Sequence, residues 1–442
     1  MATKYWSSTL DADPAAAPPA VQRSDGAEHH AVVIIGGGNA GISLAARLHR
    51  YGFRDIVIVE PSNRHLYQPL FSHIGGGTAR AEEAVRPQAD VMPKSVRWIR
   101  DAAVDIAPQA QTVLLASGTT LAYRQLVICP GMRLDWDAVP GLAAAMSTPS
   151  ASSNYVFELA PKTWDLIRGL QRGTAVFTMP SGTVKCDGAT QKIMYLACDY
   201  WRQEGVLDDI RVVMVVPTRT VYGVDVVDEE LNRKIAEYGV ELRCSSEVTA
   251  VDGAAQTVTI SAVTTSAVRA SAVTHPPARA RPAAAGSEVL RYDLLHGVPP
   301  QVAPDWLRTS GLTRTGDQGG FVDVNPETLQ HSRYRDIWSL GDAAGTKNFK
   351  SGASLRKQTL ALAKNLKAAS KGKAPRHKYN HYSATPFTVS RSTVVFAEFD
   401  HLHRPKPTLP WKGSMKEHHS TWILERNILP RVYWHLILKG RA

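Results

Sequence analysis

The chain has 442 residues, 44% apolar and 21% charged, the composition of a folded globular protein rather than a disordered segment or a coiled coil. No run approaches the ~20 apolar residues of a bilayer span, and the start lacks the layout of a secretory signal, so the expected compartment is cytoplasmic. A net charge of +11 permits attraction to nucleic acid or to anionic lipid, and where the excess sits decides between them.

Residues 1–30, with an Ala/Pro run and interspersed acids, predict a disordered extension. From His30 to Ile35 an apolar, β-branched run leads directly into Gly36-Gly-Gly-Asn-Ala-Gly41. Ile42 to Leu48 is helical in composition, and Asp55 to Glu60 is a second strand ending in an acid. The order is strand, glycine turn, helix, strand, at βαβ length. Gly36 allows the tight turn, Gly38 lets a pyrophosphate approach the backbone, and Gly41 lets helix pack on strand. Glu60 stands where it can accept hydrogen bonds from a ribose 2′-OH.

Farther on, Gly173 to Met179 and Ile210 to Val216 predict parallel strands. The loop after the first of them, Pro180 to Ala189, carries Cys186 in place of a second GxGxxG. Nothing there would cradle a second pyrophosphate, so the expected electron donor is something a cysteine can process rather than NAD(P)H. Residues 261–287, rich in Ala, Ser, Thr, Pro and Arg, predict a mobile insertion. Tyr334 to Asp342 is a strand running into Gly-Asp; in flavoproteins with two dinucleotide domains such an Asp holds the ribityl chain, which makes the first dinucleotide FAD.

The four cysteines, Cys129, Cys186, Cys198 and Cys244, form no CxxC and have no histidine at zinc-ligand spacing, so no metal is expected. Cys186 precedes an amphipathic helix over Ala189 to Trp201 and follows Lys185, an arrangement expected to stabilise its thiolate. Residues 404–442 hold eight Lys/Arg against two acids, with Trp411, Trp422, Tyr433 and Trp434 among them. Basic residues beside interfacial aromatics fit a membrane surface and not nucleic acid.

The chain resembles the sulfide:quinone oxidoreductases of mitochondria and many bacteria from about residue 30 to 440. The resemblance is carried by Val184 to Leu196, Val59 to Pro69, Tyr292 to His296 with Pro299 and Pro300, Glu327 to His331, and Ala397 to Asp400. It implies an α/β disulfide-reductase-type flavoprotein with two Rossmann-like dinucleotide-binding domains and a C-terminal membrane-docking region. The implied division is an FAD domain over 31–150, a second Rossmann-like domain over 151–290 carrying Cys186, a return to the FAD domain over 291–370, and a quinone and membrane-docking region over 371–442.

By motif position the resemblance assigns Gly38, Asn39, Glu60, Gln68, Ala103, Asp342 and Lys350 to FAD, beside Gly36 and Gly41. Lys350 becomes a cation able to stabilise the reduced ring, and Cys186 the first catalytic cysteine. The implied partners are sulfide or a small thiol or persulfide, a quinone, and the membrane surface, which in a eukaryotic chain would be the mitochondrial inner membrane.

The family's second cysteine aligns with Thr385, whose hydroxyl forms no disulfide and scarcely ionises. The two-cysteine cycle then needs Cys129, Cys198 or Cys244 to stand in: Cys129 follows the strand Gln125 to Ile128, close to the cofactor position in this fold class, whereas Cys198, twelve residues along the helix, lies about 18 Å from Cys186, too far for a disulfide. Three readings therefore stay open. Cys186 alone carries a persulfide or meets an external thiol; or the scaffold serves a different sulfur compound or redox substrate; or the chain is a non-catalytic flavin-binding module at a membrane.

Overall fold

The computed structural model describes residues 27–263, 280–281, 286–317, 319–346, 348–408 and 415–442. Residues 1–26 of the expected extension and most of the expected insertion over 261–287 lie outside the described residues.

Strand β1 (Glu28–Ile35) begins inside what the sequence predicts as extension. Its start is fixed by Asp55, whose carboxylate takes the amide of Ala31 at 2.6 Å and the Nδ1 of His30 at 2.9 Å. The glycine turn follows, then α1 (Asn39–Arg50) and β2 (Ile56–Val59), with β2 parallel to β1 in the register Val33 to Val57. On the other side of β1 lies β3 (Thr120–Ile128), also parallel, and a hairpin of Ala103–Ala107 and Thr112–Leu115 continues that edge. Val32, Val33 and Ile34 are fully buried because helices and loops cover both faces of the sheet, which is why the strand is an unbroken apolar run rather than an alternating one.

The second sheet is parallel and six-stranded. β4 (Gly173–Thr178) feeds α2 (Gly188–Gln203), which leads to β5 (Ile210–Val215) beside β4. Beyond β5 stand Glu241–Arg243 and Ala280–Arg281, and on the opposite flank of β4 stand β6 (Leu294–His296) and Ala151–Ser152. Ser246–Asp252, Thr257–Ala262 and Ser287–Arg291 form a separate antiparallel sheet. Ser261, Ala262 and Ser287, which the composition assigns to a mobile loop, are therefore strand residues. Their partners across the ladder, not their own side chains, set that state.

The chain then returns to the first sheet as β7 (Ile337–Ser339), parallel to β3, and α3 (Gly352–Ala369) packs on α1. β8 (Ser383–Thr388), β9 (Val394–Phe399) and Glu417–His418 make a last antiparallel sheet. Helical turns run from His419 to Ile437 and widen to π geometry at Leu424–Ile428 and Tyr433–Ile437, on either side of Pro430, whose ring offers no N–H. Among the described residues no helix is long and apolar enough to cross a membrane.

Tyr433 and Trp434, expected as interfacial aromatics, are buried instead. Both rings pack on Tyr67, at 4.4 and 6.1 Å between centroids, so they anchor the C-terminal turns to the first domain. Trp411 lies outside the described residues. The exposed apolar side chains here are Ile423, Ile428 and Leu436.

Candidate active site

Three of the glycines behave as the spacing predicts, each for a measurable reason. Gly36 has φ +104°, and a Cβ on it would meet the carbonyl oxygen of Cys129 at 2.3 Å. A Cβ on Gly41 would come within 1.9 Å of the Gly36 oxygen, so only glycine lets α1 pack this closely. Gly38 is exposed, with nothing within 4 Å, and leaves the backbone open to a ligand. The turn can hold a pyrophosphate because it crowds where the fold needs contact and is bare where the ligand must approach.

Glu60 follows β2 and already accepts from Gly37 N at 2.7 Å and Ser62 N at 2.8 Å. Burial raises its carboxyl pKa, partly offset by these two amides. Asn39 opens α1 and accepts from Ser43 Oγ at 2.9 Å, facing Gly352 at the start of α3. Gln68 is exposed at the start of a short 3-10 turn, and Ala103 is buried at the start of its strand. Asp342 sits directly after β7, beyond Gly341, whose φ is +73°. Burial raises its pKa against the pull of the Lys185 and Lys350 ammonium groups.

Lys350 is buried, bonded to the Ala344 carbonyl and held 4.9 Å above the Phe321 ring. Burial brings its pKa down to about 8 despite Asp342 nearby. Its main chain does further work: Lys350 O accepts from Cys186 N at 2.7 Å. The two expected site residues thus meet through the backbone, across the two sheets.

Cys186 has φ +47°, a left-handed conformation that costs a non-glycine residue of order 1 kcal/mol and persists where surroundings enforce it. Those surroundings are legible. Tyr155 Oη donates to the carbonyls of both Lys185 and Cys186 at 3.1 Å, and Gln301 Oε1 accepts from Lys185 N at 2.9 Å. Cys186 as a residue is half-buried. Cys129, Cys198 and Cys244 are all buried, with Cys129 Sγ 3.7 Å from Gly36 O and Cys198 in the core under α2.

One expectation fails here. The Cys186 thiol is not acidified but pushed up to about 11, by burial first and then by Asp342, with Lys192, Asp187 and Lys185 entering after them. The start of α2 is also already engaged, since Asp187 accepts the Gly188 amide at 3.0 Å. A helix start and one lysine do not outweigh desolvation plus two carboxylates. Alkylation of Cys186 by iodoacetamide should therefore accelerate about tenfold per pH unit from pH 7 to 10, because only the thiolate reacts. A rate that levels off below pH 8, read by mass spectrometry of the Cys186 peptide, would contradict this pKa.

Thr385, the position that the resemblance aligns with the second cysteine, packs against Gly188, two residues past Cys186. Its Oγ1 is 3.1 Å from Tyr222 Oη, Tyr222 donates to Asp187 Oδ1 at 3.0 Å, and a Cβ on Gly188 would meet Thr385 Cγ2 at 2.4 Å. Hydroxyls and a carboxylate surround this position.

Sequence reasoning missed Tyr155, Gln301 and Tyr222, which act on the loop from distant segments. It also missed a buried hydrogen-bond chain from the glycine turn to the C-terminal turns. Gln88 Nε2 donates to Gly37 O at 2.8 Å, His65 Nδ1 is 3.2 Å from Gln88 Oε1, and His65 Nε2 is 2.6 Å from Tyr433 Oη. Burial holds His65 down at about 4, so it is neutral in ordinary buffers. The available signal was His65 within the Val59 to Pro69 segment.

A glycine cradle with a terminal acid, a Gly-Asp strand and a thiol loop, carried by one mixed and one parallel sheet, define an FAD-dependent oxidoreductase of the two-dinucleotide-domain class. Residues 30–172 match the pyridine nucleotide-disulphide oxidoreductase family. The mitochondrial sulfide:quinone oxidoreductase of Mus musculus is 32% identical over 93% of this chain and 87% of its own length. That of Dictyostelium discoideum is 33% identical over 93% and 86%. The crystal structure of the Aquifex aeolicus sulfide:quinone oxidoreductase superposes with a TM-score of 0.74 at 18% identity, covering 94% of this chain and 92% of that one. The chain belongs to the sulfide:quinone oxidoreductase family.

Proposed function

We propose that this enzyme oxidises sulfide at Cys186 and delivers the electrons to a quinone at a membrane surface. The observation that carries the reading is the Cys186 loop itself, strained and clamped to Lys350 beside Asp342. FAD fits the site: Gly36 and Gly41 admit no side chain, Gly38 is bare, and the assignments of Gly36, Gly38, Asn39, Gly41, Glu60, Gln68, Ala103, Asp342 and Lys350 stand as the proposed contacts. Bound FAD supplies the two-electron carrier between sulfur and quinone.

The protein's part is to hold the sulfur chemistry. Hydrosulfide and the Cys186 thiolate join in an S–S bond, which releases two electrons and one proton and leaves a cysteine persulfide. The outer sulfur then leaves with an external thiolate, which regenerates Cys186 without a second protein cysteine. Lys185 supplies positive charge beside Cys186, Lys350 beside Asp342, and Tyr155 keeps the loop in place. Ile423, Ile428 and Leu436, exposed beside Arg431, Lys439 and Arg441, support docking on an anionic membrane surface through the C-terminal region.

Thr385 favours one other reading, in which the scaffold serves a different sulfur compound. Anaerobic mixing of the yellow holoenzyme with sulfide and a short-chain quinone separates the two. Rapid flavin bleaching by sulfide, with recovery on adding quinone, is the expected result. A flavin inert to sulfide but bleached by another thiol or persulfide would move the substrate, and bleaching by NADH would overturn the assignment of the donor.

A further inference from the structure

The C-terminal turns close on the last turn of α1 around a pocket of about 510 Å3. None of its lining residues belongs to the glycine turn, the Cys186 loop or the proposed FAD contacts. Gly440 makes the closure possible. Its φ is +64°, and a Cβ there would meet the Arg47 amide nitrogen at 2.6 Å, so only glycine lets this segment lie so near α1. The Gly440 amide donates to Ile437 O and the Arg441 amide to Leu436 O, both at 2.9 Å, a glycine-closed helix end that brings Lys439 and Arg441 to the pocket wall.

The lining selects an anion. His49 and Arg50 come from α1, Ser95 from the loop after Met92, and His435, Lys439 and Arg441 from the C-terminal turns, with no acid among the lining residues. Among the described residues Arg50, Lys439 and Arg441 pair with no carboxylate. His49 Nδ1 is buried and has no hydrogen-bond partner there either. Basic side chains at a helix C-terminus ordinarily answer its dipole, and each group alone does that. Here the two helix ends meet, and their cations share one space without a counter-charge, a repulsion that a bound anion removes.

The surroundings say which anion. The volume falls within the ~300–1,000 Å3 of small-molecule sites. Arg50, Ser95, His435 and Lys439 are exposed, so the pocket opens to the surface. Leu436, next in the chain to His435, is exposed too, as are Ile423 and Ile428 on the same C-terminal turns. A phosphate presented beside an apolar phase is the chemistry of a phospholipid, whose chains suit the aliphatic side chains and whose headgroup suits the cations.

We infer that this pocket seats the headgroup phosphate of an anionic phospholipid, one lipid per chain. The inference deepens the docking reading above and rests on it: the aliphatic residues supply contact area, and the pocket supplies a discrete site that sets how the protein lies on the membrane.

Calorimetric titration of the holoenzyme with dihexanoylphosphatidylglycerol, below its micellar concentration, should show one saturable site. Binding should be at least about tenfold tighter than for dihexanoylphosphatidylcholine or inorganic phosphate. Arg50→Glu should abolish that preference, while Lys371→Glu, the same charge change at an exposed position outside the lining, should leave it within about twofold. Arg50 stands on α1, outside the C-terminal turns, so its effect does not pass through damage to the docking segment, and sulfide-driven flavin bleaching in Arg50→Glu should stay at the parent rate. Inorganic phosphate binding as tightly as the lipid, equal losses in the two variants, or no short-chain lipid site each overturns the inference. Sedimentation with phosphatidylcholine vesicles, with and without phosphatidylglycerol, keeps the two readings apart. Vesicle binding that persists in Arg50→Glu and is lost in Leu436→Glu leaves docking standing without the pocket, whereas a parent that sediments with neither vesicle overturns docking and the lipid assignment with it.

Discussion

Cys186→Ser should lower sulfide-dependent flavin reduction by at least about 10³-fold, the scale on which loss of a covalent nucleophile acts. A serine hydroxyl cannot hold a second sulfur, and no other thiol can substitute. Cys129, Cys198 and Cys244 are all buried, and burial raises the pKa of each. Thr385 offers only a hydroxyl, already engaged with Tyr222. FAD content should not change, because the glycine turn, Glu60 and Asp342 stand on other elements. The measurement is anaerobic stopped-flow absorbance of the flavin with sulfide, beside the flavin-to-protein ratio. A variant that keeps its colour and loses less than about tenfold would place the sulfur chemistry away from Cys186.

How far the sequence led to this site depends on how local each part is. The glycine turn, Glu60 and the strand into Asp342 are short-range features, each readable within some thirty residues, and the structure has them where the spacing puts them. The Cys186 loop was recognisable as a candidate reactive element, but its electrostatics were not. The argument from Lys185 and a helix start considers only sequence neighbours, whereas the thiol responds to burial and to Asp342, over 150 positions away.

The same limit applies to the C-terminal aromatics. Counting Tyr433 and Trp434 among basic residues suggests an interface, but the fold turns both rings inward onto Tyr67 and leaves the aliphatic Ile423, Ile428 and Leu436 outside. Composition gives the chemistry of a segment and not the face it presents. Position 385 is the converse case. Its importance came from alignment to a family pattern, and only the folded chain brings it to Gly188, nearly two hundred residues earlier in the sequence.

Glu425→Ala should destabilise the protein by about 3–5 kcal/mol, the cost of leaving a buried ammonium without its partner. Glu425 lies in the first π turn, buried, with Lys192 Nζ at 2.5 Å, Thr388 Oγ1 at 2.7 Å and His73 Nε2 at 3.6 Å. It therefore ties α2, which begins two residues past Cys186, to β8, which carries Thr385, and both to the C-terminal turns. Burial acts to raise its pKa, but Lys192 and His73 more than offset this and bring it down to about 2. A carboxyl whose folded pKa is depressed stabilises the fold above its unfolded value and loses that contribution as pH falls toward the folded one. The parent should thus lose denaturation midpoint between pH 4.5 and 2 by an increment that Glu425→Ala lacks. Urea unfolding at pH 7 and pH 3 reads both effects. The difference between parent and variant should be large at pH 7 and smaller at pH 3. Glu425→Ala combined with Lys192→Met, which removes both charges, should recover most of the loss; a double variant no better than the single one would show that the ion pair is not what holds the C-terminal turns to the site.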